Sequence, residues 1–278
     1  MGICAIMTAD GASVAYDRFV PGNGDHRGQG RHKYDPGAYG RGIAEDYDRL
    51  YRSIVDTEAA VDRLIALAGG GPVLEMGIGT GRLALPMHRR GLEVAGIEGS
   101  TEMVEVLRRK PGGEQVKVVV GDFADTRVPG DFSLVVLALH TIFGLPTPER
   151  QICCFANAAR HLGRGGRFVV EARVVHASDF VDGQAVQSRF SGEDHVELQV
   201  QRFDPVSQRM RVSNIHLADG RPVRMNSFSN QYTTPRELDL MARMAGLLLA
   251  ARWSDWEGGA FTGSSRRHVS VYEAMPDP

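Results

Sequence analysis

Apolar positions along the chain change period several times, and each change predicts a different element. From Tyr34 on, Tyr39, Ile43, Tyr47, Leu50, Tyr51 and Ile54 recur three and four residues apart, the signature of one helical face. Glu58 to Ala68 predicts a second helix, stopped by Gly69-Gly70-Gly71-Pro72. Short apolar runs then alternate with helical stretches. Strands are predicted at Val73 to Met76, Leu92 to Glu98, Val116 to Val120, Phe132 to Leu139 and Arg167 to Val174. Helices are predicted at Arg82 to Arg90, Ser100 to Leu107 and Pro148 to Leu162, with a turn at Gly163 to Gly166. Phe132 to Leu139 is apolar nearly throughout, as a central parallel strand covered on both faces should be. That alternation predicts an α/β doubly wound sheet.

After Val174 the period drops towards two. His195 to Phe203, Gln208 to Leu217 and Val223 to Tyr232 alternate in part, separated by Asp204-Pro205 and Asp219-Gly220, which predicts an antiparallel meander of three strands. A helix at Pro235 to Gly246 and strands at Leu247 to Trp253 and His268 to Glu273 end the pattern. The segment through about Arg31 is rich in Gly, Asp and Arg, lacks sustained periodicity, and is expected to be mobile without a partner or ligand.

The chemistry concentrates in Glu75-Met76-Gly77-Ile78-Gly79-Thr80-Gly81-Arg82. Alternate glycines between a strand and a helix allow a sharp turn and let a ligand approach the main chain. Free N–H groups at the helix start then favour an electron-rich ligand group. A dinucleotide fingerprint would place its third glycine at position 82, where this chain has Arg, and Glu75 would repel a pyrophosphate. A ligand with an amino group and a sulfonium would be attracted instead. This Glu-x-Gly-x-Gly-x-Gly pattern resembles motif I of the class I S-adenosylmethionine-dependent methyltransferases.

Two further strand ends extend the resemblance. Glu98 closes the second strand, where a carboxylate can accept from both ribose hydroxyls of an adenosine cofactor. Gly121-Asp122-Phe123 closes the third; in the family an acidic residue there accepts from the adenine amino group while an apolar neighbour packs on the ring. The resemblance implies a Rossmann-like seven-stranded sheet whose last strand is antiparallel, with S-adenosylmethionine as cofactor. It places the cofactor among Glu75, Gly77, Gly79, Thr80, Gly81, Arg82, Glu98, Gly99, Ser100, Met103, Gly121, Asp122, Phe123 and Leu139. The segment from Tyr39 to Tyr51 looks like the aromatic N-terminal lid of small-molecule methyltransferases, with Tyr47, Asp48 and Tyr51 in a Tyr-Asp-x-x-Tyr element over the cofactor. The alternative for these tyrosines is an amphipathic helix that simply packs on the sheet.

Acceptor chemistry should sit beyond the fourth strand, at Leu139-His140-Thr141-Ile142-Phe143. The Asn-Pro-Pro-Tyr, Pro-Cys and metal-binding Asp signatures of other methyltransferase classes are absent there, and no metal site is expected. His140 is either a general base with a pKa near neutrality or a wall of the pocket. Thr141, Phe143 and Arg173 are expected to line the acceptor side. Methyl transfer from a sulfonium asks mainly for alignment and exclusion of water, so the lack of a catalytic triad is no objection.

Composition narrows the partners. With 278 residues, 42% of them hydrophobic, the chain can bury a full core. A net charge of −2 gives no basic footprint for nucleic acid. Three cysteines without disulfide or metal spacing fit a reducing cytoplasm, no apolar run is long enough to span a bilayer, and the N-terminus does not read as a secretory signal. The expected organisation is a mobile segment at 1–33, a helical lid at 34–71, a cofactor-binding core at 72–176, a β insertion at 177–233 and the rest of the core sheet at 234–278. The insertion would cap the substrate or, like the N-terminal segment, hold a homo-oligomer together. The expected function is methyl transfer to a small-molecule acceptor of specialised metabolism. A catalytically silent S-adenosylmethionine-binding regulator and an NAD-type oxidoreductase stand as alternatives.

Overall fold

The computed structural model describes residues 5–7, 13–15, 34–51 and 56–275. Strands β1 (Ala5–Met7) and β2 (Ser13–Ala15) pair antiparallel, so regular structure occurs where none is legible from periodicity. The rest of the 1–33 segment, Ile54 of the aromatic face, and the last three residues lie outside the described residues.

The core is a seven-stranded sheet. Its strands are β3 (Val73–Met76), β4 (Val94–Glu98), β5 (Lys117–Val120), β6 (Phe132–Leu137), β7 (Leu162–Arg173), β12 (Leu247–Trp253) and β13 (Arg267–Ala274), in spatial order β12-β13-β7-β6-β3-β4-β5. The final strand β13 runs antiparallel to both neighbours, as the resemblance implies. Every residue of β3 and β4 is buried, which is why these strands read as continuous apolar runs.

Helices α3 (Thr57–Ala68), α4 (Ala84–Arg89) and α5 (Thr101–Arg108) cover one face, burying Leu64, Leu83, Met87 and Leu107 against Val73, Val94, Leu134 and Val136. Helices α6 (Pro148–Ala159) and α7 (Pro235–Met244) cover the other, with Cys154, Phe155, Leu238 and Ala242 against Val135, Phe168 and Tyr272. The starts of these helices are written in the sequence. Asp56, Ser100, Thr147 and Thr234 each accept a backbone N–H three residues on, and Glu237 completes a capping box on α7.

Three departures from the sequence reading have local causes. The single lid helix is two short ones, α1 (Ala38–Ile43) and α2 (Tyr47–Tyr51). Two glycines in six residues weaken α1, and packing rather than propensity fixes its course. The glycine turn at 163–166 is absorbed into β7, where the register against β6 slips between Phe132 and Leu134. The meander has a fourth strand. Strands β8 (Gln184–Ser191), β9 (His195–Asp204), β10 (Arg209–Ala218) and β11 (Arg224–Gln231) form a separate antiparallel sheet, turning at Asp204 and Gly220 as the sequence indicates. Nearly all of β8 is exposed, so it has no apolar face to show in its pattern. No described helix is long and apolar enough to cross a membrane.

Candidate active site

The strand order reverses between β3 and β6, and ligands of open α/β sheets bind beyond the carboxyl ends of strands at such a point. The loop leaving β3 there turns on Gly77, Gly79 and Gly81, at φ +71°, +56° and +82°, a region in which a side chain would be strained. A Cβ at Gly77 would also lie 2.7 Å from Thr141 Cγ2, so this loop and the one after β6 pack without an intervening side chain.

Glu98 ties the loop down. Its carboxylate accepts from the Gly79 N–H at 2.8 Å and the Ser100 N–H at 2.9 Å, and burial nevertheless raises its pKa. Glu75 has the opposite character. One carboxyl oxygen, Oε2, is buried with no hydrogen-bond partner among the described residues. Burial pushes its pKa to about 8, against the pull of Arg82 and the Ala84 N–H, and Glu98 adds to the rise. A buried carboxyl oxygen lacking a partner among the described residues, beside a glycine loop, suits a cation.

The lid closes over these groups. Its backbone approaches the β4–α5 turn so closely that a Cβ at Gly99 would meet the Pro36 carbonyl at 2.5 Å, and one at Gly37 the Gly99 carbonyl at 2.6 Å. Tyr47 stacks on Tyr51 at 4.5 Å, and the Tyr51 hydroxyl shares a hydrogen bond of 2.5 Å with Tyr39. Burial raises the Tyr47 phenol, and Glu75 and Glu98 both lie within electrostatic reach of it. The Thr80 hydroxyl donates to Asp48 at 2.6 Å, while Lys110 Nζ reaches Asp48 at 2.5 Å and the Thr80 carbonyl at 2.7 Å. Tyr47, Asp48, Tyr51, Thr57 and Arg82 line an open cavity of about 530 Å³.

Other predicted residues are engaged differently. Met103 is buried against Ile43 and Ala44 of the lid. Asp122 accepts from the Ala124 N–H at 2.9 Å, from Arg150 at 2.5 Å and from the Tyr34 hydroxyl; Phe123 is half-buried against the core, and the Gly121 N–H donates to the Glu98 carbonyl.

At the end of β6 two non-glycine residues in succession, Leu139 and His140, take left-handed backbone at φ +50° and +63°. Such strain persists only where the surroundings over-determine it. Glu171 of β7 does so: its carboxylate accepts from the Leu139 N–H at 2.9 Å and from the Trp256 indole at 3.1 Å, and its carbonyl accepts from the His140 N–H at 3.0 Å. Neither Glu171 nor Trp256 was among the expected site residues. The available signal was a lone carboxylate inside the apolar run Phe168-Val169-Val170-Glu171-Ala172.

His140 Nδ1 is sealed from solvent without a partner among the described residues. Burial, then the charges of Arg173, His268, Arg267 and Arg189, push the imidazole down to about 3, correcting the near-neutral value expected from sequence. Phe143, expected on the acceptor side, is only 2% exposed and stacks behind the His140 ring. Thr141 stands against Gly77, and Arg173 is half-buried at the end of β7.

Comparison with known proteins fixes the family. A methyltransferase domain model matches residues 73–166, from the first core strand into β7. The CcbJ methyltransferase from Streptomyces caelestis is 35% identical, with 87% of this chain and 100% of that one covered and a TM-score of 0.80. The chain belongs to the S-adenosylmethionine-dependent methyltransferases. This methyltransferase is also 27% identical over 245 residues to a cypemycin N-terminal methyltransferase from a Streptomyces species, covering 86% of this chain and 98% of the relative. It shares its fold with S-adenosylmethionine-bound CalS10, an amino pentose methyltransferase of Micromonospora echinaspora, at 23% identity, 82% and 96% coverage and a TM-score of 0.65. The oxidoreductase and silent-regulator alternatives give way to an enzyme.

Its cofactor, S-adenosylmethionine, fits the residues present: the orphaned Glu75 oxygen suits a cation, and the glycine loop leaves its main chain open to close approach. Glu75 then links affinity to pH. With a pKa raised to about 8, the carboxyl is mostly protonated at neutrality, and a cation pairs with its ionised form. S-adenosylmethionine affinity should therefore rise with pH up to about 8, by at most about tenfold per unit, with a proton released on binding. Calorimetry in buffers of different ionisation enthalpy counts that proton. Glu75→Gln should abolish it, and an unchanged proton count in Glu75→Gln would clear Glu75 of the role.

Proposed function

We propose that this methyltransferase N-methylates a small amine of specialised metabolism, with the cofactor between the glycine loop and the lid and the acceptor between His140 and the inserted sheet. The observation that carries the reading is the pair of unsatisfied buried groups: Glu75 Oε2 on the cofactor side and His140 Nδ1 on the acceptor side. The named relatives suggest the acceptor class, one being a cypemycin N-terminal methyltransferase and one an amino pentose methyltransferase.

Glu98 accepts from the ribose hydroxyls in this reading, since its carboxylate keeps acceptor capacity beyond the loop N–H groups it binds. Tyr39, Tyr47 and Tyr51 cover the methionine end, Gly99, Ser100 and Met103 border the ribose and adenine, and Asp122 with Phe123 closes the adenine end. When bound, S-adenosylmethionine supplies an activated methyl group on a sulfonium. The protein's own work is placement. His140, neutral because its pKa is depressed, accepts a hydrogen bond from the acceptor nitrogen at Nδ1 and so orients it. Phe143 holds the imidazole plane, and Glu171 holds the backbone that presents it.

The inserted sheet caps the acceptor. Its inner face meets the lid where Phe228 packs edge-on against Tyr39 at 5.2 Å, and Arg49 approaches Glu197 at 3.9 Å. Its outer side leaves Val186, Val223 and Met225 exposed, a surface through which two copies would associate, and the reading places the enzyme in the cytoplasm. The test is transfer of labelled methyl from S-adenosylmethionine to a panel of primary and secondary amines, with matched alcohols as controls. Label in alcohols alone would overturn the nitrogen assignment.

A further inference from the structure

The acceptor side carries more positive charge than the fold needs. Arg173 is half-buried on the same face of β7 as Glu171, two residues beyond it. Among the described residues it has neither an ion pair nor a side-chain hydrogen bond. Opposite it in the β13 register stands another cation, Arg267. Arg189 and Arg266 lie within electrostatic reach and lower its pKa further below the drop that burial causes. Asp179 offers the nearest compensation, but that carboxylate already pairs with Arg266 and accepts from the His176 N–H. An arginine taken out of water without a counter-charge is costly, so such a residue implies an anion supplied from elsewhere.

The roof above is polar where a meander of this kind could have been apolar. On the face of β9 that also carries Glu197 and Phe203 lie Gln199 and Gln201, 8% and 1% exposed. Arg189 of β8 donates to Gln199 Oε1 at 2.7 Å, Gln199 Nε2 donates to Asn214 at 2.9 Å, and Gln201 Nε2 shares the same Gln199 oxygen at 2.5 Å. Gln201 Oε1 is left buried with no partner among the described residues. Arg173 and Arg189 both act to lower the His140 pKa, so the two cations lie within electrostatic reach of the group assigned to the acceptor nitrogen. A bound sulfonium would add one more positive charge.

We propose that the methyl acceptor is an amine that also bears an anionic oxygen group, a carboxylate or phosphate, and that Arg173 seats this group with Arg189 beside it, under the glutamine-lined face of the inserted sheet. The inference rests on the methyltransferase reading above and narrows its acceptor. A planar guanidinium fork suits either oxyanion, and the uncompensated charge supplies the attraction.

The test uses the full chain loaded with S-adenosylhomocysteine and three probes: 4-(aminomethyl)benzoate, 4-(aminomethyl)phenyl phosphate and the neutral 4-(aminomethyl)benzamide. Calorimetry should show at least one anion binding roughly tenfold or more tighter than the amide, a preference that shrinks as salt rises. Which anion wins identifies the group. Arg173→Gln should bring all three to within about twofold of one another, with S-adenosylhomocysteine affinity unchanged, and Arg189→Gln should reduce the preference less. Equal binding of all three probes to the wild type, or a preference that survives Arg173→Gln, overturns the inference. Failure of S-adenosylhomocysteine to bind the wild type would instead strike the cofactor reading beneath it.

Discussion

Replacing His140 with Ala is expected to slow methyl transfer by about tenfold while S-adenosylmethionine affinity stays within about twofold, because the acceptor nitrogen loses an orienting hydrogen bond worth about 1 kcal/mol. The imidazole is pushed down to about 3, so it is neutral, and able to accept, at every pH above that. Protonation, with loss of the role, comes only as the pH falls towards about 3. The rate profile between about pH 5 and 8 should therefore carry no limb from His140, and His140→Gln should lower the rate without reshaping the profile. Single-turnover rates across that range check both points. A limb near 6.5 that vanishes in His140→Gln would mean an ordinary imidazole, and wild-type rates in His140→Ala would make the residue a wall.

Replacing Glu98 with Ala should weaken S-adenosylmethionine binding by roughly ten- to a hundredfold, the equivalent of about 1.5–3 kcal/mol for hydrogen bonds to a charged group. Two effects act together. The ribose would lose its acceptor, and the Gly79 and Ser100 N–H groups would lose theirs, so the glycine loop is no longer held in its turn. Calorimetry measures the affinity and circular dichroism checks that the sheet survives. An affinity within about twofold of wild type would remove Glu98 from the cofactor.

The glycine loop and the strand ends around it were legible because their signals are local. Each of β3, β4 and β5 is an apolar run leading into a turn that carries its chemistry within two or three residues: Glu75 and the glycines, Glu98, and Asp122. The acceptor half was not, since its properties come from residues far apart in sequence. Nothing adjacent to His140 announces a pKa near 3; the cause is burial plus arginines from β7, β8 and β13. Glu171 sits 32 positions from the strained turn it braces. Gly37 and Gly99 become meaningful only once the lid is folded onto the β4–α5 turn.

The contact between lid and inserted sheet has a thermodynamic consequence. Tyr39 on Phe228 and Arg49 near Glu197 would, in the proposed reading, join the cover of one ligand to the cover of the other. A cofactor that settles the lid thereby settles part of the acceptor's enclosure, and linkage makes the benefit mutual: whatever factor the first ligand adds to the affinity of the second, the second returns to the first. Under that coupling, loss of either product would loosen the hold on its companion.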